Sequence, residues 1–266
     1  WSIDQVGPIA KTVEDLAILL QAIAGYDALD PITLRDPVPD YRKHLRTSIK
    51  GVKIGILEEL IAKDSEPAIE TATRTAIEVL RELGAETKEV GIPSIDDTHK
   101  GFGSVAGPES HAYYQDVFSD EELSQIDDDM KQYLKQASTQ TMSDYLEGQR
   151  VMARLKQDLA DIFDDVDLIL SPTSLTTPLP ISLSDSESRI TVRGHDVKAY
   201  RYFTRSTHIA SLAGLPAISV PCGLVDGYLP VGLQLMGRRL EEALMLQVAF
   251  AYEQSSGWHQ HHPKIT

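Results

Sequence analysis

Cys222 is the sole cysteine of the chain and follows Pro221 at the end of an apolar run, where a thiol nucleophile could be displayed. A thiolate attacks a carbonyl carbon once a base or a positive neighbour lowers its pKa. His208 could act as a general base, His195 stands beside Asp196, and His259, His261 and His262 could ligate a metal. None of these sets has the spacing its chemistry needs. Cys222 reads as a small buried hydrophobe at a strand end. His208 falls among Thr207, Ile209 and Ala210 and reads as a packing residue. His195 with Asp196 reads as hairpin surface, and the three late histidines lack a fourth ligand. The acidic run 120–129 has neither the alternating oxygen ligands nor the turn glycine of a calcium loop, so it reads as a solvated helix face. No Ser-His-Asp order follows from spacing. Neither a metal nor an organic cofactor is expected.

Composition bounds what these residues can serve. The chain has 266 residues, 42% hydrophobic and 24% charged, enough to bury a sizeable core. A net charge of −15 repels a long phosphate backbone except at a local basic patch, so no direct nucleic-acid partner is expected. No apolar stretch approaches membrane-spanning length, and no membrane partner is expected. The single cysteine rules out an intrachain disulfide and fits a cytoplasmic location. Trp1, not Met, opens the sequence, and residues 1–6 read as the middle of a longer one.

The elements that must position any site alternate between helix and strand. Thr12, with Asp15 three residues on, caps a helix that runs through Leu16, Leu19, Leu20 and Ile23 to Gly25. The Asp- and Pro-rich stretch 26–41 reads as a surface loop. A strand over 53–57, a helix with Ile69, Ala76, Ile77 and Leu80 on one face, and a strand over 86–90 make a βαβ unit. Residues 97–143 carry the least regular pattern. A long helix over 142–163 leads into a buried strand over 166–170 and then the loop Ser171-Pro172-Thr173-Ser174. Residues 190–197 read as a small hairpin. One helix carrying Phe203, Thr204, Thr207 and Ser211 ends at Gly214. Apolar runs over 217–220 and 231–236, joined by a turn at Asp226-Gly227, read as neighbouring buried strands. A helix over 241–252 and a polar tail finish the chain. The expected fold class is α/β, a mixed β-sheet covered by helices. The expected divisions are helix-loop-βαβ over 1–95, a helical region over 96–165, and strand, pocket loop, helix, hairpin and helix over 166–266.

Read in order, several blocks resemble the amidase signature family. They are Ser2-Ile-Asp-Gln-Val-Gly-Pro8 with Thr12-Val-Glu-Asp15, Gly51-Val-Lys-Ile-Gly55, Asp167-Leu-Ile-Leu-Ser-Pro-Thr173, Gly214-Leu-Pro-Ala, Val231-Gly-Leu-Gln-Leu, and Ala251-Tyr-Glu-Gln254 with Trp258. The resemblance covers nearly the whole chain and is weakest over 97–142. It implies the amidase-signature fold and hydrolysis of a small-molecule amide by a Ser–cis-Ser–Lys triad. The Gly/Ser-rich segments that carry such a triad have no counterpart here, so the catalytic groups are expected upstream of Ser2. The chain is then the C-terminal portion, inactive alone, whose partner is the missing N-terminal portion.

The resemblance also implies that the loop after 166–170 and the helix before Gly214 approach the substrate, which makes Thr173, Thr204 and Ser211 the substrate-binding candidates. Asp4 matches a family Asp near the rear of the site and reads as a turn residue. Two branches of the family compete. A free-standing amidase is favoured over the A subunit of glutamyl-tRNA amidotransferase, because such A subunits carry an Asn-Asp pair where Phe203-Thr204 stands. They also carry an Arg-rich stretch where residues 127–131 stand. A reading from another class is a non-catalytic docking or assembly fragment, with homo-oligomerisation through unpaired strand edges.

Overall fold

The computed structural model describes residues 1–183 and 187–262. Strands β1 (Lys53–Leu57), β2 (Glu86–Val90) and β3 (Leu168–Pro172) precede a separate hairpin of β4 (Arg189–Val192) and β5 (His195–Lys198). They are followed by β6 (Ala217–Val225) and β7 (Leu229–Gly237). The main sheet has five strands in the order β2-β1-β3-β7-β6. β1 runs parallel to β2 and β3, while β7 is antiparallel to both β3 and β6. The α-helices among the described residues are α1 (Val13–Ile23), α2 (Tyr41–His44), α3 (Pro67–Glu82), α4 (Thr98–Val117), α5 (Asp120–Gln125), α6 (Asp128–Ala137), α7 (Met142–Phe163), α8 (Ala199–Thr204), α9 (Thr207–Ala213) and α10 (Glu242–Ser256), with a π-helical turn over Glu59–Asp64 before α3. The architecture is the expected mixed sheet covered by helices. The end of the polar tail, 263–266, lies outside the described residues.

Local chemistry sets the element ends. The Thr12 hydroxyl accepts from the Asp15 N–H at 3.1 Å and caps α1. A second cap comes from afar: the Val13 N–H donates to the buried Glu253 carboxylate of α10 at 2.9 Å. Gly214, at φ 71°, ends α9, and the Gly214 and Leu215 N–H groups both donate to the Ala210 carbonyl. Asp226 and Gly227 take φ 52° and 78°, left-handed conformations that reverse the chain within the three-residue connection between β6 and β7. Arg193 and Gly194 are likewise left-handed between β4 and β5.

The sheet buries both faces. On one face Ile54, Ile56, Leu168, Leu170, Leu233 and Leu235 pack against α1, α3 and α10 through Val13, Ile69, Ile77, Leu80, Met245 and Val248. On the other, Leu57, Ile169 and Met236 pack against α4, α7 and α9 through Val105, Leu155, Leu159, Phe163, Ile209 and Leu212. β6 forms an edge of the sheet: Ile218, Val220 and Cys222 point into the first core, while Ala217, Ser219 and Pro221 are exposed.

The stretch 97–143 departs from the expected irregularity. It folds as α4, α5 and α6, with Ser119 and Asp127 capping the last two through their side-chain oxygens. The acidic run 120–129 lies on those two helices and is almost wholly exposed. Little in the sequence signals α4, because it contains Gly101, Gly103, Gly107 and Pro108, all poor helix formers, and packs through small residues instead of an apolar stripe. A Cβ on Gly148 of α7 would lie 2.9 Å from Ser104 Cβ and Val105 Cγ2 of α4, whereas one on Gly103 would meet nothing within 4 Å. Gly148→Ala should therefore destabilise by about 1–3 kcal/mol through overpacking. Gly103→Ala should stabilise by up to about 1 kcal/mol through helix propensity. Urea titration of the two variants checks the sign reversal.

Candidate functional site

The face of the sheet that carries Ile169 and Met236 changes character toward the C-terminal end of β3. Ser171 on β3, Gln234 on β7 and Ser219 on β6 lie side by side in register. Gln234 is buried, and its amide nitrogen donates to Ser171 Oγ at 3.3 Å and to the Ser206 carbonyl at 3.2 Å. One step further along, the Thr173 and Ser219 hydroxyls bond to each other at 2.6 Å. Gly232 on β7 makes room for that contact, since a Cβ there would lie 2.8 Å from Thr173 Oγ1 and 2.9 Å from Ser219 Oγ. The Thr173 N–H donates to the Gly232 carbonyl at 2.8 Å, which seats the loop on the sheet.

That loop is held from outside as well. Glu66, just before α3, donates its N–H to the Leu175 carbonyl at 2.8 Å and accepts from the Thr177 N–H at 2.9 Å. Arg193, at the tip of the β4–β5 hairpin, donates to the Ser65 carbonyl at 2.7 Å and pairs with Glu70. The hairpin thus braces the start of α3, which in turn fixes the loop after β3.

The helix expected to carry Thr204 through Ser211 is interrupted between α8 and α9. Arg205 turns inward there, buried, with ion pairs to Asp64 at 3.1 Å and Asp96 at 2.7 Å. The Ser206 carbonyl is bonded by the Gln234 side chain, so a sheet residue pins the corner. The Arg205 guanidinium holds the Asp96 carboxyl below the usual carboxylate range. The hydroxyls of Ser206 and Thr176 are buried without a partner among the described residues.

Ser211 is half-buried and lines a groove of about 790 Å³ with Leu215, Ala217, Ser219 and the segment 5–10. Ser219 therefore links two of the three candidates, lining Ser211's groove and bonding Thr173. Thr204 is placed apart: its hydroxyl donates to the Tyr200 carbonyl at 2.9 Å, within its own helix, and it does not line this groove. Sequence reasoning misses Ser219, Gln234 and Gly232. The available signal is Gln234 itself, a polar side chain inside the apolar run 231–236, with Ser219 on the off-core parity of β6.

The other chemical candidates have structural roles here. Cys222 is buried, and burial pushes its thiol up to about 12, the wrong direction for a nucleophile. His208 is buried and stacks on Phe102 at 3.9 Å, with His99 at 5.6 Å, and burial lowers its pKa to about 4. Asp196 accepts from Arg189 across the hairpin at 2.6 Å. Asp4 is exposed beside a bend, 3.9 Å from the terminal ammonium. His261 stacks on Trp258. No cluster of three or more His, Cys, Asp or Glu side chains suited to a metal occurs among the described residues, and no helix among them is long and apolar enough to cross a membrane.

The family model described as Amidase matches residues 1–246. The chain belongs to the amidase family. An amidase from Pseudomonas putida is 33% identical over the whole chain and 56% of its own length. The A subunit of the glutamyl-tRNA(Gln) amidotransferase from Synechococcus sp. (strain JA-2-3B'a(2-13)) is 36% identical over 99% of the chain and 54% of that protein. The solved A subunit of the Thermotoga maritima glutamyl-tRNA(Gln) amidotransferase superposes with a TM-score of 0.78 at 30% identity, over 97% of this chain and 54% of that one. A bacterial aryl acylamidase of the amidase signature family shares the fold, with a TM-score of 0.82 at 23% identity, over 96% of this chain and 53% of that one. This amidase-family chain therefore spans about half the length of the relatives it matches.

Proposed function

We propose that the chain is the C-terminal portion of an amide (C–N) hydrolase whose Ser–cis-Ser–Lys triad lies upstream, and that it supplies the scaffold and one wall of the acyl pocket. The observation that carries this reading is the polar strip Ser171–Gln234–Ser219–Thr173 at the end of β3, on the sheet face whose β3 and β7 residues Ile169 and Met236 are packed as core. The C-terminal ends of strands and the loops beyond them are where α/β sheets place ligands. Among the described residues the two candidates for a nucleophile and a base do not compete with an upstream triad: Cys222 is held as a buried thiol and His208 as a neutral stacked ring.

Between the two branches the strip favours a free-standing amidase acting on a small neutral amide. Its members are all uncharged, as is Thr204, whereas glutamine needs charged groups for its α-amino and α-carboxylate ends. The 36% identity to an amidotransferase A subunit supports the second reading, glutamine hydrolysis for a partner. The exposed edge of β6 supports association with further polypeptide. The test is ammonia release from propionamide, benzamide and glutamine, by protein expressed from the complete reading frame and by the 266-residue chain alone. The complete frame should hydrolyse the neutral amides and the 266-residue chain should release nothing. Turnover by the short chain sinks the upstream triad; a strict preference for glutamine sinks the free-standing amidase.

A further inference from the structure

We propose that the Thr173–Ser219 hydroxyl pair, given room by Gly232 and aligned through Gln234, is the specificity-determining contact for an uncharged hydrogen-bonding group on the acyl part of the substrate. The inference rests on the amide-hydrolase reading and names what that site selects.

Three observations carry it. The first is valence. The two hydroxyls own two O–H donors, and their mutual 2.6 Å bond uses one, so a second donor and spare lone pairs remain, and Ser219 lines the groove it shares with Ser211. That is the equipment for a group that both donates and accepts, such as an alcohol. The second is space. Gly232 is the residue on the neighbouring strand whose Cβ would strike both oxygens, at 2.8 and 2.9 Å. Any side chain there would displace the pair.

The third is cost. Ile169 and Met236 continue directly into the buried Ser171 and Gln234 on the same face, where an apolar pair would pack more cheaply, and Ser219 lies exposed beside them on the edge strand. A local departure from the hydrophobic pattern that is then locked by specific bonds marks a site, not a fold requirement. Gln234 supplies the lock. It ties β7 to Ser171 on β3 and to the Ser206 carbonyl between α8 and α9, so the strands beneath the pair cannot shift without moving that corner. Gln234 is a positioning residue; Thr173 and Ser219 are the contact.

Every member of the strip is uncharged, so the strip itself offers no counter-charge to a carboxylate or ammonium on the acyl part; the charged groups of the adjoining groove are Arg239 and Glu242. A hydroxyl would replace its water contacts with the free donor and lone pairs. A methyl in the same place would leave them unpaired, which is the arrangement that discriminates strongly between near-isosteres.

The experiment measures equilibrium binding by calorimetry on protein expressed from the complete reading frame. The probes are lactamide and 3-hydroxypropanamide, each paired with its methyl counterpart, isobutyramide and butyramide. Wild type should bind the hydroxyl amides about 10-fold more tightly than the methyl ones. Ser219→Ala and Thr173→Val should bring that ratio to near one, and Thr173→Ser, which keeps the hydroxyl, should preserve it. A ratio unchanged in the variants, or a wild type that prefers the methyl amides, overturns the proposal. Near-UV circular dichroism checks folding; should Ser219→Ala unfold, the Thr173→Val and Thr173→Ser pair decides. Hydrolysis of the same four amides is read separately. A binding ratio that responds to the variants without turnover of any amide refutes the hydrolase reading and supports the contact. Turnover with an unresponsive ratio refutes the contact alone.

Discussion

Leu155→Ala should destabilise the protein by about 4–5 kcal/mol, and Leu159→Ala by only about 2–3 kcal/mol. Both leucines lie on the buried face of α7, at 0% and 1% exposure, and both belong to the core between that helix and the sheet. The difference comes from what surrounds the hole each would leave. Leu155 is enclosed by protein, so removing its side chain leaves a rigid apolar void whose lining loses its contacts. Leu159 also borders a cavity of about 810 Å³ with Ile3, Phe163 and Ala213, where neighbours can settle and water can enter. Urea midpoints at constant m-value measure both costs. Equal losses would show that the cavity gives no relief, and a loss near zero for Leu155 would show that its helix face is misplaced.

Acid should weaken the fold between pH 6.5 and 4, largely through one ring. His208 is buried between His99 and Phe102; burial and then the nearby His99 lower its pKa from 6.5 to about 4. Above 6.5 the ring is neutral in both folded and unfolded chains and contributes no pH dependence. Below 6.5 the unfolded chain takes up a proton that the folded one refuses, so stability falls as pH drops. Below about 4 both states are protonated and the loss stays constant, on the order of 3 kcal/mol for His208 alone. His99, lowered by burial and by Arg201, Arg205 and Lys198, adds in the same direction. His208→Gln should flatten the urea midpoint across that window relative to wild type. An unchanged slope would mean the ring titrates as an exposed histidine does.

Elements whose cause lies within a few residues were legible in the sequence. The Thr12 cap, the Gly214 helix stop and the Asp226-Gly227 turn depend on one or two residues each and fold as read. The strand over 53–57 and the strand before Thr173 announce themselves as short apolar runs, and the strand over 86–90 by its alternation. What escaped depends on partners far along the chain. α4 has little helical signal because its packing surface is made of absent side chains, and those become informative only beside Gly148 and Val151. The corner between α8 and α9 is set by Gln234, Asp64 and Asp96, none of which is a local neighbour. Ser219 has the look of an ordinary off-core strand residue until Thr173 is brought against it. The candidate site was legible only in part for the same reason: the loop after β3 follows its strand directly, while Ser219 and Gln234 reach it only through strand pairing.

The strand order has a consequence for how this sheet comes together. β1 and β2 are joined through a short π-helical turn and α3, and β6 and β7 through a three-residue turn, so each pair can form early from its own stretch of chain. β3 belongs to neither. Its register with β1 bridges 114 residues, as the Lys53–Asp167 bond beside it shows, and its far side must find β7 after the excursion through the second hairpin. Closing those spans carries the largest loop entropy in the sheet, and no local element offsets it. β3 is thus the keystone through which two self-sufficient halves unfold as one, and the residues that end it also begin the loop on which recognition is proposed to depend.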